Sequence, residues 1–197
     1  MNPFEEAVCF AVQKHSGQTR KLNQGPYILH PMEVASIVGT MTTDPDVLCA
    51  AVLHDTVEDT DASVEEIRER FGARVAELVT SETECKRRDL PGEQTWLLRK
   101  QESLAFLEQS GDMAVKMLWL GDKLSNLRSF YREYARSGSR FWEAFHQKDP
   151  AMHAWYYRSI ARCLGELSAY PAYREYELLM NALFANSGQT EQGADSR

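Results

Sequence analysis

The stretch Val47-Leu48-Cys49-Ala50-Ala51-Val52-Leu53-His54-Asp55-Thr56-Val57-Glu58-Asp59 joins an unbroken apolar run to one imidazole and three carboxylates. Asp44-Pro45 ahead of it is a helix cap followed by proline at the first helical position, so the run reads as a helix ending near His54 and Asp55. Helical residues three and four apart share a face, which sets His54 beside Glu58, and Asp55 beside Glu58 and Asp59. Carboxylates gathered against apolar surface repel one another and are costly to bury unless a cation joins them. A metal ion is the simplest such cation, and it holds water beside it for attack.

Two more segments add to this set. Upstream, Gly25-Pro26-Tyr27-Ile28-Leu29-His30-Pro31 ends a glycine-bearing loop with a histidine just before a proline that opens a helix. Downstream, Trp119-Leu120-Gly121-Asp122-Lys123-Leu124-Ser125-Asn126 places one aspartate within an apolar helix. A histidine, then His-Asp, then a distant aspartate is a mixed nitrogen and oxygen set. It suits manganese or iron better than thiolate-seeking zinc.

Helix punctuation recurs along the chain, and strand alternation does not. Asn2-Pro3 caps a first helix reaching about His15, and Pro31 opens a second. Ser63-Val64-Glu65-Glu66 reads as a capping box, with Phe71-Gly72 as that helix's stop. A short helix runs from Ala73 to about Ser81, and another from Thr95 or Trp96 to about Ser110. Asp112 starts a long one reaching about Ser137, and further helices follow Asp149-Pro150 and Pro171. The charged stretch from Glu82 to Gln94 reads as a mobile loop over the site. The fold class is therefore all-α, with roughly eight to ten helices. Residues 1–186 form one domain, with a motif core over about 4–130 and a helical extension over about 131–186. The polar segment 187–197 is expected to be disordered.

Composition limits the class of protein. With 43% apolar and 26% charged residues the chain has enough apolar material for a packed core. No stretch nears the ~18 apolar residues of a membrane span, and the N-terminus lacks the features of a signal peptide. Cys9, Cys49, Cys85 and Cys163 are scattered, which fits free thiols in a reducing cytoplasm. A net charge of −7 argues against nucleic acid as a partner, yet it leaves room for a small anion met by a local basic patch. Lys14, Arg20 and Lys21 make one patch; Lys86, Arg87 and Arg88 make another. Oligomeric state is not readable.

These segments together resemble the hydrolase domain of the RelA/SpoT family, in particular its free-standing small alarmone hydrolases of metazoan SpoT type, within the HD superfamily. The residues that carry the likeness are Lys14-His15-Ser16-Gly17-Gln18-Thr19-Arg20-Lys21 and Pro26-Tyr27-Ile28-Leu29-His30-Pro31. Ala50 through Thr60, Phe71-Gly72, and Gly121-Asp122-Lys123-Leu124-Ser125-Asn126-Leu127-Arg128 continue it in order. The resemblance implies a single HD-type helical domain that removes the 3′-pyrophosphate from guanosine tetra- or pentaphosphate, the stringent-response alarmones. It implies one manganese ion per chain, other divalent ions being possible, with His30, His54, Asp55 and Asp122 as ligands. Glu58 and Asp59 would orient or deprotonate the attacking water. Arg20 and Lys21 would meet the base and a phosphate, and Asn126 the ribose. Ser129 shares the helical stripe of Asp122 and Asn126 and so also faces the substrate. Tyr156 lies on one face with His153, Ile160 and Leu164; it closes over the ribose or packs in the core, while His153 reads as a core or supporting residue. His15 supports the loop bearing Arg20.

The chain departs from the family pattern in three places. Gly25 and Pro26 are adjacent, Leu22-Asn23-Gln24 is an unusual continuation of Arg20-Lys21, and Ser81-Glu82-Thr83-Glu84-Cys85 ends its helix differently. Two alternatives stay open: hydrolysis of another 3′-substituted nucleotide, such as an adenosine alarmone, and a non-catalytic alarmone sensor.

Overall fold

The computed structural model describes residues 1–22, 24–84, 87 and 89–185. Expectations attached to Cys85, Lys86 and Arg88 and to the 187–197 tail lie outside the described residues. In chain order the helices are α1 (Pro3–Lys14), α2 (Leu29–Val38), α3 (Pro45–Leu53), α4 (Thr56–Asp59) and α5 (Val64–Phe71). They continue with α6 (Ala73–Glu82), α7 (Gly92–Gln109), α8 (Met113–Ser137), α9 (Pro150–Cys163) and α10 (Pro171–Phe184). The fold is all-α. Among the described residues the one extended pairing is an isolated antiparallel bridge between Thr19 and Pro26.

Side-chain caps fix most starts. Asn2 accepts the Glu5 amide at 2.8 Å and Glu5 returns to the Asn2 amide at 3.0 Å, closing a capping box. Asp44, Asp112 and Asp149 each accept an amide from the first turn of α3, α8 and α9, at 2.9, 2.9 and 2.8 Å. Ser63 does the same for α5. Gly72, at φ +94°, lets the chain turn from α5 into α6. Two starts come earlier than the sequence indicates: α2 begins at Leu29, putting Pro31 in its first turn, and α7 begins at Gly92. Two 3-10 segments, Gly138–Ala144 and Gly165–Leu167, had no local signal.

The decisive stretch is not one helix. The His54 ring bonds the Ala51 carbonyl at 2.9 Å, and the Thr56 hydroxyl donates to the Leu53 carbonyl at 2.6 Å. Side chains thus satisfy carbonyls that a continuing helix would use, and the backbone bends between α3 and α4. Glu58 and Asp59 ride on the separate single turn α4.

Helix α8 forms the axis of the molecule, packed by α2, α3, α6 and α10. Leu118, Leu120, Leu124 and Leu127 on it are fully buried. Gly121 permits the close crossing with α2: a Cβ there would lie 2.7 Å from Val38 Cγ2 and 3.4 Å from the Val34 carbonyl oxygen. Its neighbour Asp122 is thereby brought against His30. Gly121→Ala regains up to about 1 kcal/mol of helix propensity but overpacks a stiff β-branched contact at a cost of about 1–3 kcal/mol. A net loss of stability is expected, read as a lowered Tm in thermal unfolding.

Candidate functional site

Four sequence-predicted residues converge at the crossing of α2, α8 and the α3–α4 bend. His30 Nε2 lies 3.1 Å from Asp122 Oδ1 and 3.4 Å from Asp55 Oδ2. His54 Nε2 lies 3.1 Å from Asp55 Oδ2 and 3.8 Å from Asp122 Oδ1. Ligand atoms of His30, His54 and Asp122, all buried, fall within 4.8 Å of one another, close enough to share a metal ion. The His54 Nδ1–H is spent on the Ala51 carbonyl, so Nε2 is the nitrogen that faces the cluster and can offer a lone pair once its proton is displaced. That Nε2 is buried and, among the described residues, makes no hydrogen bond, although carboxylates are near. A donor set of two imidazole nitrogens and two carboxylates, with one buried nitrogen unspent, fits a divalent ion.

The electrostatics point the same way. Burial opposes charge on His54, but Asp55 and Asp122 outweigh it and push the imidazole up to about 10. His30 moves the other way, held below the usual histidine range by burial. Burial works against ionised Asp122 too, yet Lys123 and the imidazoles keep it well below the carboxylate range. The cluster thus draws positive charge, and a metal competes with the proton for it. Lys123 bonds Asp122 directly and lies 3.6 Å from Glu82 Oε2. Burial pushes Glu82 up to about 8.

Glu58 and Asp59 sit beside this cluster and not within it. Glu58 Oε2 accepts the Glu84 amide at 3.0 Å. Asp59 gives its carbonyl to Gln18, and Gln18 in turn meets His15, so His15 does support the loop before Arg20. The Tyr27 hydroxyl reaches both Asp55 Oδ2 at 2.6 Å and Asp59 Oδ2 at 3.1 Å. One phenolic proton therefore links a cluster carboxylate to the α4 carboxylate. Tyr27 stood in the quoted Pro-Tyr-Ile motif but received no role from sequence.

A cavity of about 300 Å³ opens nearby, lined by Arg20, Lys21, Lys100, Lys123, Asn126 and Tyr156 among others. None of its described lining residues is acidic, although the chain carries −7 overall. Its other wall is aromatic, with Trp96, Phe130, Phe145 and Tyr157. The loop from Arg20 to Gly25 is closed by Arg20 N–H donating to the Gly25 carbonyl at 2.7 Å, with Gln24 at φ +57°. This loop projects Arg20 over the Tyr27 ring at 5.7 Å and onto Asn126 Oδ1 at 3.2 Å. Asn126 in turn donates to Asp122 Oδ1 at 2.7 Å, tying the cavity to the cluster along one helical stripe.

Tyr156 is buried in the cavity wall, its hydroxyl without a hydrogen-bond partner among the described residues and the Lys100 ammonium 4.8 Å over its ring. His153 lines the same cavity, bonded to the Gln147 carbonyl. Ser129 is elsewhere: it lines a smaller cavity of about 100 Å³ behind His30 and not the large one. The stretch expected to be a mobile loop is anchored where described. Glu84 takes Arg99 at 2.8 Å and Lys100 at 2.6 Å from α7, and Gly92 already belongs to that helix. Lys100 and Trp96 were missed because nothing local marks them; Lys123 was missed beside a residue already singled out.

Residues 7–150 match the family model described as HD domain. The guanosine-3′,5′-bis(diphosphate) 3′-pyrophosphohydrolase MESH1 of Mus musculus is 45% identical over 130 residues, covering 64% of this chain and 69% of its own. The Aquifex aeolicus protein of the same description is 40% identical over 128 residues, 65% of this chain. This chain spans 18% of that relative's length. The solved structure of a metazoan ortholog of SpoT that hydrolyzes ppGpp matches with a TM-score of 0.71 at 29% identity, covering 95% of this chain and 97% of that one.

Proposed function

Because the chain belongs to the HD-domain family, we propose that it is a metal-dependent phosphohydrolase removing the 3′-pyrophosphate of guanosine tetra- or pentaphosphate, with GDP or GTP and pyrophosphate as products. One observation carries the reading: a cluster of buried His30, His54 and Asp122 with half-buried Asp55 is joined through Asn126 and Lys123 to a cavity with four cations and an aromatic wall. The descriptions of the mouse and Aquifex relatives support the substrate. So does the solved SpoT ortholog.

In this reading His30, His54, Asp55 and Asp122 hold manganese. When bound, the ion would supply Lewis-acid polarisation of a phosphoryl oxygen and lower the pKa of water. Asp59 and Glu58 orient the attacking water and take its proton as the water oxygen adds to phosphorus. The bond from phosphorus to the ribose 3′ oxygen breaks, that oxygen takes up, through solvent, the proton the carboxylate removed from water and leaves as the sugar hydroxyl, and the phosphorus departs in pyrophosphate. Arg20 pairs with phosphate while its planar face meets the base, and Lys21 adds charge at the cavity mouth. Asn126 meets the ribose, and Tyr156 offers its unspent hydroxyl to the sugar. Among the described residues no helix is long and apolar enough to cross a membrane, and a small nucleotide in the cytoplasm is the proposed partner.

Purified protein with guanosine tetraphosphate and manganese, assayed by ion-exchange chromatography, is expected to yield GDP and pyrophosphate. Preference for an adenine nucleotide in a parallel panel would replace this substrate, and binding without turnover at any metal would favour a sensor. Arg20→Ala removes a charged hydrogen-bond donor worth about 1.5–3 kcal/mol, so KM should rise roughly ten- to hundredfold with a smaller change in kcat. Steady-state kinetics measure both.

A further inference from the structure

His30 turns its other ring nitrogen away from the carboxylates and toward α8, where Nδ1 lies 2.9 Å from Ser125 Oγ. The Ser125 hydroxyl has one proton, and it goes to Glu33 Oε2 at 2.7 Å. The other Glu33 oxygen accepts from Arg128 Nη1 at 3.2 Å. A carboxylate so placed accepts only, so Ser125 has only lone pairs to offer the imidazole. Nδ1 of His30 must therefore carry the hydrogen, and the ring's lone pair falls on Nε2. Arg128 is itself held on α10 by a two-pronged bond, with Nε and Nη2 at 2.6 and 2.7 Å from the two Glu175 oxygens.

The direction matters because the local field favours the opposite tautomer. Asp122 and Asp55, at 3.1 and 3.4 Å from Nε2, would each welcome a hydrogen there. A histidine with hydrogen on Nε2 cannot give that nitrogen to a metal. Something must hold the proton on the far side of the ring.

We propose that Glu33 is a positioning residue that, through Ser125, fixes His30 with hydrogen on Nδ1 and its Nε2 lone pair toward the metal, while Arg128 and Glu175 hold Glu33 in place. The inference rests on the reading of His30 as a metal ligand. Outer partners of this kind change metal affinity by about 10–100-fold when lost.

The test uses the full chain labelled with 15N-histidine and freed of metal at mildly alkaline pH, the His30 ring signals being assigned by their loss in His30→Gln. The wild-type ring should show hydrogen on Nδ1. Ser125→Ala and Glu33→Ala should shift hydrogen to Nε2 and weaken manganese binding about 10–100-fold, read from the electron paramagnetic resonance of free manganese. Glu33→Gln keeps an oxygen acceptor for Ser125 and should restore most of both, at unchanged Tm. A wild-type ring with hydrogen on Nε2 would overturn the proposal. So would Ser125→Ala and Glu33→Ala proteins that keep the wild-type tautomer and wild-type affinity. Wild-type protein that binds no manganese would sink the metal reading by itself, while the ring spectra would still decide whether Glu33 and Ser125 set the tautomer.

Discussion

Asp122→Asn is expected to lose bound manganese and turnover together while the fold persists. Asp122 places Oδ1 3.1 Å from His30 Nε2 and takes the Asn126 amide at 2.7 Å, and its other oxygen holds Lys123. It is the buried anion on which the donor set is centred. Asparagine keeps its shape and an acceptor for Lys123 but removes the negative charge. Alanine would also strand the Lys123 ammonium with only Glu82 at 3.6 Å, and breaking a buried ion pair costs about 3–5 kcal/mol. The isostere therefore separates lost ligation from lost folding. Loss of a ligand should exceed the about 10–100-fold that an outer partner costs in metal affinity. Metal content after dialysis, measured beside turnover and Tm, checks it; full metal and normal turnover in Asp122→Asn would refute the ligand assignment. His54→Ala should behave alike.

The second large effect concerns chemistry apart from binding. Glu58→Gln and Asp59→Asn should each lower kcat by about 10²–10⁴-fold, the usual worth of a positioned acid or base. Metal content and nucleotide affinity should stay near wild type. Glutamine can still accept the Glu84 amide that Glu58 holds at 3.0 Å, and asparagine can still accept from Tyr27. Neither residue sits within the His30, His54 and Asp122 group. Unchanged kcat in both single variants and in the double would return the pair to a tethering role between α4, Glu84 and Tyr27.

Helix starts were legible because their causes are local: Asn2, Asp44, Ser63, Asp112 and Asp149 each cap with their own side chain. The end of α3 near His54 was legible as well, but not its cause, which is that His54 and Thr56 take carbonyls a continuing helix would otherwise use. Of the residues proposed to meet substrate, Arg20, Lys21, Asn126 and Tyr156 line one cavity, and Ser129 faces a different one. Sequence spacing gave the stripe on α8 but not which side of it the cavity occupies. The supposed mobile loop shows the same limit. It was read from its charged composition, but Glu84 finds Arg99 and Lys100 on the following helix, a pairing visible only once α7 is folded back.

The two-pronged bond between Arg128 and Glu175 has a consequence for the order in which the protein is made. Synthesis runs from the N-terminus, so His30, His54, Asp55 and Asp122 leave the ribosome before Pro171–Phe184. A nascent chain therefore owns every proposed ligand while α10 is still absent. At that stage Arg128 lacks the carboxylate pair that steadies it, and Glu33 is steadied less in turn. Under the proposed role of Glu33, tight capture of the ion would wait for the later helix to dock, so that a loaded metal site would mark a chain whose C-terminal packing is already in place.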